Sequence, residues 1–392
     1  MTARASVMLV GLHGATASTL VAGTIAMQRR IAQPAAGTTE LECFNGSSLI
    51  SLDDLAFGGW DLRSGSTYDA ASRHQIVAQD VLTAIHREIS VIHALPGLRT
   101  NVDIPREPDH TNRGPKLSSV DDAVSCLADN IRQERVRHGA EHSIVIFLAS
   151  PNRRLDDTVR ASGWEQLRAL PADDVSAGLI YAYAAVAAGA HFIDFTPCDT
   201  LESTPLLTAA DERGVQIAGR DGSTGQTMLK VHLAHLFAMR GIRLAGWYSS
   251  NIIGNHDGYV LSLAGHDETK LSDKTGGVSP FVEDLGSFAH KVRIDYFPPH
   301  GDAKESWDAI DATAWLGAPI SMRLNWRGHD SFLAAPMLLD LIRLVVAGTP
   351  LRCGLQPQLG FFFKRPFGRE HSSLASRFSE LIQAYANSEP PW

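Results

Sequence analysis

The order of apolar and polar positions divides this chain into two kinds of segment. Ser6–Gly11 (SVMLVG) and Ser143–Leu148 (SIVIFL) are short, continuously apolar runs. Such runs predict strands covered on both faces, as in a parallel sheet. HFIDFTP from His191 and VQIAG from Val215 repeat the theme, and an alanine-rich helix is predicted over Val175–Ala190. Strands alternating with helices predict a parallel sheet with helices on both sides. After about Gln226 the character changes. Val292, Ile294 and Tyr296 alternate with Arg293 and Asp295, and Ile320, Met322, Leu324 and Trp326 alternate with Ser321, Arg323 and Asn325. Period-two alternation predicts a second sheet with one wet or interfacial face, usually antiparallel. Phe332–Ala347 predicts a buried helix, Leu359–Phe363 a return to the first domain, and the tail from Ala375 a terminal helix. The expected fold class is therefore α/β. A parallel-sheet nucleotide-binding domain spans 1–225, an inserted α+β domain spans 226–333, and a C-terminal segment over 334–392 rejoins the first.

Composition narrows the function classes. A chain of 392 residues exceeds one comfortable core, in line with two domains. A formal charge of −8 supplies no basic stripe for phosphates, which argues against a nucleic-acid partner. Cys43, Cys126, Cys198 and Cys353 show no CxxC spacing, so neither a zinc site nor a disulfide framework is expected, as in a reducing cytoplasm. The apolar N-terminus is interrupted by Gly11, His13 and Gly14, and Arg29-Arg30 follows the apolar run instead of preceding it, unlike a signal peptide. Phe332–Ala347 carries Pro336, Asp340 and Arg343 and falls short of the ~20 residues that span a bilayer, so no membrane partner is expected.

The candidate chemistry lies at loop ends. The first strand runs into GLHGATASTL, the strand–glycine turn–helix order of a nucleotide-binding unit. Gly11 and Gly14 allow a tight turn and close backbone approach, while His13 and Ala17 stand where G-x-G-x-x-G patterns have further glycines. Ala149, Ser150, Thr196 and Asp221 fall at the carboxyl ends of strands, where ligands of parallel sheets collect. Asp221–Thr227 (DGSTGQT) precedes a helix with a predicted apolar face of Leu229, Leu233, Leu236 and Phe237. This turn reads either as an anion site at a helix N-terminus or as an ordinary cap by Ser223 or Thr224. The loop Ser249–Lys274 gathers Asn251, Asn255, His256 and Asp257 around Gly254 and Gly258, then sets Lys270 and Lys274 at helical i, i+4 spacing. Lys304 follows a glycine turn. Lys364 sits between Phe363 and Arg365, where it either serves proton transfer or snorkels to solvent. No His/Cys cluster of ligand spacing is visible, so no metal ligand is assigned.

Together these motifs carry a resemblance. N-x-x-G-N-N-D-G-x-x-L-S is matched by Asn251, Gly254, Asn255, Asp257, Gly258, Leu261 and Ser262, with Lys270 and Lys274 at the spacing that follows. F-G-G-W-D is intact as Phe57–Asp61. G-D-S-K is represented by Gly301, Asp302, Ala303 and Lys304, D-S-x-L-A-A-P by Asp330–Pro336, and W-L-K-A-P is echoed as Phe362–Pro366 with Lys364 in place. In these respects the chain resembles the myo-inositol-phosphate synthase family over nearly its whole length. The resemblance implies a Rossmann-like NAD domain and an inserted catalytic domain whose sheet joins subunits of a homotetramer. It implies a redox-neutral cyclisation of a hexose 6-phosphate, glucose 6-phosphate first, to a cyclitol phosphate, and hence an isomerase.

By the same resemblance Lys270 and Lys364 would meet developing oxyanions and transfer protons, with Asp221 and Asp302 orienting lysines. Lys274 and Lys304 would complete the catalytic set and hold the phosphate together with Thr224, Gly225, Gln226, Thr227 and Asn255, flanked by His256 and Asp257. Gly11, His13, Gly14, Ala15, Thr16, Ser18, Thr19, Asp61, Ala149, Ser150, Thr196, Asp330 and Ser331 would face NAD. The chain departs from the family at GLHGATA, at His256, at the Asp221–Thr227 turn (which loses a lysine), at Phe147–Asn152 and at Asp267-Glu268. These departures leave open five-membered ring closure from fructose 6-phosphate, and a plain NAD-linked dehydrogenase as another class. A divalent metal or ammonium is not indicated.

Overall fold

The computed structural model describes residues 5–34, 37–101, 114, 117–149, 155–255, 258–259, 288–348, 352–368 and 373–387, without the side chains of Thr227 and Met228. The chain forms two compact units. The first comprises Met1–Gly222, Ala335–Arg369 and Arg377–Trp392; the second comprises Ser223–Ala334 and Glu370–Ser376.

Among the described residues, the first unit is built on seven strands. They are β1 (Ala5–Val10), β2 (Leu55–Asp61), β3 (Leu95–Pro96), β4 (His142–Phe147), β5 (His191–Asp194), β6 (Gln216–Gly219) and, from the far end of the chain, a short strand Gly354–Leu355. All pair in parallel, in the order β3-β2-β1-β4-β5-β6 with Gly354–Leu355 on the outer edge of β6. β1, β5 and β6 are buried at every position, which is why apolar residues follow one another in them (Val7–Val10, Phe192-Ile193, Ile217-Ala218) instead of alternating with polar ones. Alternate residues of β1 serve different layers. Val7 and Leu9 belong to a core with Leu20, Val21 and Ile25 of the helix Ala15–Gln28 and Leu341, Ile342 and Val345 of the helix Asp330–Gly348. Met8 and Val10 belong to a core with Val124 and Leu127 of the helix Val120–Arg137 and the helix Ala177–Ala188. Ser119 and Ser176 cap those last two helices by accepting from Asp122 N (3.1 Å) and Leu179 N (3.4 Å).

The strand order reverses between β1 and β4, and this switch point is where open α/β sheets bind ligands, outside the carboxyl ends of the strands. Among the described helices, Asp330–Gly348 alone is long and apolar enough to cross a membrane. Leu338, Leu341, Ile342 and Leu344 within it have no exposed surface, and its Asp340 accepts from Thr38 N, Thr39 N and Thr39 Oγ1 at 2.6–3.0 Å, so it is a core helix.

The second unit holds, among its described residues, four strands: β7 (Arg243–Ile253), β8 (Ala289–Tyr296), β9 (Ala303–Thr313) and β10 (Pro319–His329), in the order β10-β9-β7-β8. With these in hand, the edge strand Gly354–Leu355 becomes β11. β9 pairs antiparallel with both β7 and β10, but β8 runs parallel to β7. The antiparallel expectation for Val292–Tyr296 is thus corrected. Alternation reports which side chains share a face and is the same for either direction. The 35 residues between Ile253 and Ala289 are long enough for the crossover that a parallel pair requires. One face of this sheet carries Trp247, Ser249 and Asn251 opposite Ile310, Asp308 and Ser306. The helix Gln226–Met239 belongs to the same unit, and its buried row is Gln226, Lys230, Val231, Ala234 and Phe237. That corrects the predicted apolar face, since Leu229 and Leu233 are only partly buried and Leu236 is 46% exposed.

Candidate functional site

In the first unit the candidate residues gather at the carboxyl edge of the parallel sheet. β1 runs into Gly11, whose φ of +92° suits glycine and whose Cβ, if present, would lie 3.3 Å from Ala149 N just beyond β4. The loop is therefore drawn tight across the switch point. Gly14 starts the helix Ala15–Gln28 with no side-chain cap, and Gly11, Gly14, Ala15 and Thr16 are all partly exposed. Asp61, at the end of β2, holds the loop. Its Oδ2 accepts from His13 N and its Oδ1 from Arg63 N, both at 2.9 Å. His13, where the family pattern has glycine, is 1% exposed; its Nδ1 lies 3.0 Å from Arg63 O, and His74 Nε2 lies 2.9 Å from His13 O. Burial holds the His13 imidazole below its usual range, against the opposing pull of Asp61. Ser18 and Thr19 turn inward, and the Ser18 hydroxyl donates to Gly14 O at 2.9 Å. Thr196 is also buried, its hydroxyl donating to Asp194 Oδ1 at 2.7 Å and accepting from Cys198 N at 3.4 Å.

The same edge carries a cation. Asp221, at φ +62°, follows β6 and donates its N–H to Thr196 O at 2.9 Å. Lys364 is tied to Asp221 twice, through its backbone N–H to Asp221 O (2.7 Å) and through Nζ to Oδ1 (2.9 Å). The turn containing Lys364 follows a 3-10 helix, Pro357–Phe362, that buries Leu359 and Phe362. This ion pair leaves about a fifth of the lysine side chain exposed, at 21%. Snorkelling is replaced by a fixed ammonium at the strand ends.

In the second unit the turn Thr224–Gln226 opens the helix Gln226–Met239. Gly225, and neither Ser223 nor Thr224, is the N-cap, at φ +60° and ψ −130°, and having no side chain it makes no side-chain cap bond. A Cβ at Gly225 would lie 2.9 Å from Asp330 Oδ1, and Lys304 Nζ is 3.1 Å from Asp330 Oδ2. The Asp330 carboxylate thus lies beside both a lysine and the start of a helix. Ser331, next to it, is buried. Asn255 donates to Asp302 Oδ1 at 3.0 Å and accepts from Gly258 N at 3.2 Å, and His329 Nδ1 lies 3.8 Å from Asp302 Oδ2. Ser150, the side chain of Thr227, His256, Asp257, Lys270 and Lys274 lie outside the described residues.

Sequence reasoning missed Lys230. It is 5% exposed, its Nζ donates to Ser249 Oγ at 2.5 Å, and it lies 3.7 Å from Asp308 Oδ1 and 5.7 Å from the centre of the Trp247 ring. Burial pushes its ammonium down to about 8, partly offset by Asp308. The available signal was its place four residues after Gln226, within a run rich in apolar residues. Among the described residues no group of three or more His, Cys, Asp or Glu side chains forms a metal cage.

The family model described as myo-inositol-1-phosphate synthase matches residues 225–331, from Gly225 to Ser331. The fold is that of a Caenorhabditis elegans inositol-3-phosphate synthase, with a TM-score of 0.86 at 22% identity over 100% of this chain and 88% of that one. A myo-inositol-1-phosphate synthase-related protein from Thermotoga maritima superposes with a TM-score of 0.77 at 20% identity, covering 99% of each chain. In sequence, inositol-3-phosphate synthase 1 of Bacteroides thetaiotaomicron is 32% identical over 388 residues, covering 93% of this chain and 90% of the relative. With that identity sustained along nearly the whole chain, this protein belongs to the inositol-3-phosphate synthase family, a family of isomerases of the intramolecular-lyase type.

Proposed function

We propose that the chain cyclises a hexose 6-phosphate, glucose 6-phosphate in the first instance, to an inositol phosphate with NAD as resident cofactor. The observation that carries the substrate class is the place of Asp330 beside both Lys304 and the helix start at Gly225. The N–H groups at a helix start together with an ammonium form a seat for a phosphate. Support for NAD comes from the 3-2-1-4-5-6 strand order, from the glycine turn drawn against Ala149, and from Asp61 at the end of β2. On this reading Gly11, Gly14, Ala15, Thr16 and Ala149 border the dinucleotide and Asp61 faces a ribose. NAD, when bound, supplies the reversible oxidation of one sugar carbon, so the net reaction is redox-neutral.

The chain's own residues then manage protons and charge. A ketone at C5 acidifies the proton at C6, and the resulting enolate closes the ring on the C1 aldehyde. Both the enolate and the alkoxide formed on closure carry negative charge, which fixed cations stabilise best when they need no reorganisation. Lys364, held at both ends by Asp221, is assigned that task and the accompanying proton transfers. Asp330 orients Lys304 toward the phosphate. Lys270 and Lys274 are assigned to the enolate and the phosphate by resemblance to the family motif.

The test is to incubate the purified protein with glucose 6-phosphate and NAD+ far below the substrate concentration, following product by phosphorus and carbon NMR. Many turnovers per NAD+ without accumulating NADH are expected. NADH rising in step with product would sink the cyclase reading in favour of a dehydrogenase. Product from fructose 6-phosphate alone would overturn the choice of sugar.

A further inference from the structure

Beneath the proposed phosphate seat, the second unit contains a buried polar chain that the reaction itself does not call for. Asp308 of β9 accepts from Gln226 Nε2 at 2.5 Å through Oδ2, and from Trp247 Nε1 at 2.9 Å and Ser249 Oγ through Oδ1. Ser249 in turn accepts from Lys230 Nζ at 2.5 Å. Gln226, Lys230, Trp247, Ser249 and Asp308 are each 5% exposed or less. Burying an ion pair is a poor route to stability, because desolvation offsets most of the attraction. Such a chain is better explained by what it holds in place.

Its position is specific. Gln226 is the first residue of the helix whose N-cap is Gly225, and Lys230 lies one turn further along the same face. Asp308 lies on the same strand as Lys304, and because side chains alternate along a strand the two share a face. The helix start and the lysine are the two halves of the proposed phosphate seat, and Asp308 is bonded to one half while sharing a strand with the other.

We propose that Asp308 is a positioning residue which, through Gln226, locks the first turn of the helix Gln226–Met239 to β9 and so fixes the spacing between that helix's N–H groups and Lys304, with Lys230 and Ser249 bracing Asp308 from the other side. This rests on the reading of the seat as a phosphate site. It adds Lys230, Ser249, Trp247 and Asp308 to the groups on which binding depends, although none of them touches the ligand.

The test compares two double variants that remove both charges. Lys230→Met/Asp308→Asn retains a side chain able to bond Gln226 and Trp247; Lys230→Met/Asp308→Leu does not. Affinity of the NAD-loaded protein for a hexitol 6-phosphate, which lacks the aldehyde and cannot cyclise, is measured by calorimetry beside thermal melts. The Asn variant is expected to bind within about threefold of wild type and the Leu variant about tenfold or more weakly, since small misplacements of binding groups cost large factors. Equal affinities in the two folded variants overturn the proposal. If either double variant fails to fold, Gln226→Met supplies the test, because the Gln226 side chain is buried against Asp308 instead of held out to a phosphate as the resemblance implied: a tenfold loss supports positioning, and wild-type affinity overturns it. Wild-type protein that binds the hexitol 6-phosphate no better than the unphosphorylated hexitol defeats the phosphate reading itself, a result distinct from the others.

Discussion

Asp194, at the end of β5, has no exposed surface and is pushed up to about 7 by burial, although Thr196 donates to it from both N and Oγ1. Its pKa is thus higher in the folded chain than in the unfolded one. Between about pH 4 and 7 the folded state holds the extra proton, so this residue's contribution to stability is complete below the unfolded value and is lost as pH rises through 7. Asp194→Asn keeps an acceptor for Thr196 and removes the titration. Urea unfolding should show the variant more stable than wild type at pH 8, by up to about 4 kcal/mol, with the gap closing toward pH 4. A gap that does not change with pH would contradict the assignment. Lys364 offers a contrasting lesson in legibility. Its place beside aromatic residues was visible in sequence, but its double attachment to Asp221 was not, because 143 positions separate the partners. Lys230 was hidden for a different reason: a lysine on a helix is ordinarily a solvated one, and only β7 and β9 reveal that this one points inward.

At the scale of elements, the helix Gln226–Met239 depends on its first residue. Gly225 occupies a conformation that side chains rarely adopt, and any Cβ there would press on the Asp330 carboxylate. Gly225→Ala should therefore cost about 1–3 kcal/mol of stability from backbone strain. It should also raise KM for the sugar phosphate far more than it lowers kcat, because the displaced Asp330 carries Lys304 with it. Unchanged KM in steady-state assays would separate the helix start from the phosphate. The parallel strands were legible because a strand buried on both faces carries consecutive apolar residues, as Val7–Val10 of β1 and Phe192-Ile193 of β5 do. β9 was not, for the opposite reason. Its buried positions include Ser306 and Asp308 as well as Ile310 and Ala312, so hydrophobicity does not alternate where exposure does. The helix preceding β7 failed similarly: Gln226 and Lys230 take the inward places that leucines were expected to fill.

At the scale of the molecule, the open face of the second sheet carries Tyr248 and Trp307, 40% and 53% exposed, and the β9–β10 turn presents Trp315 and Leu316 at 85% and 86%. Large apolar side chains grouped on one face mark surfaces that pair with another protein. We expect self-association there into a tetramer of the 42.4-kDa chain. Sedimentation velocity checks this: Trp307→Glu should lower the assembled mass, and a wild type that sediments as a single chain would refute it. The change of sheet was legible because the change from continuous to alternating apolar runs after Gln226 coincides with it.

The route of the chain has a further consequence, for the order in which the protein is made. Leu338, Leu341, Ile342 and Val345, together with β11, complete the core of the first unit but are encoded after every strand of the second. While the ribosome is still reading the intervening residues, Val7, Leu9, Leu20 and Ile25 lack part of their packing surface. A domain closed by its own distal segment folds late, because the long loop must be paid out before its contacts form. The nascent first unit therefore stays incompletely packed until its distal segment arrives, whereas the second unit is contiguous from Ser223 to Ala334 but for a short later segment.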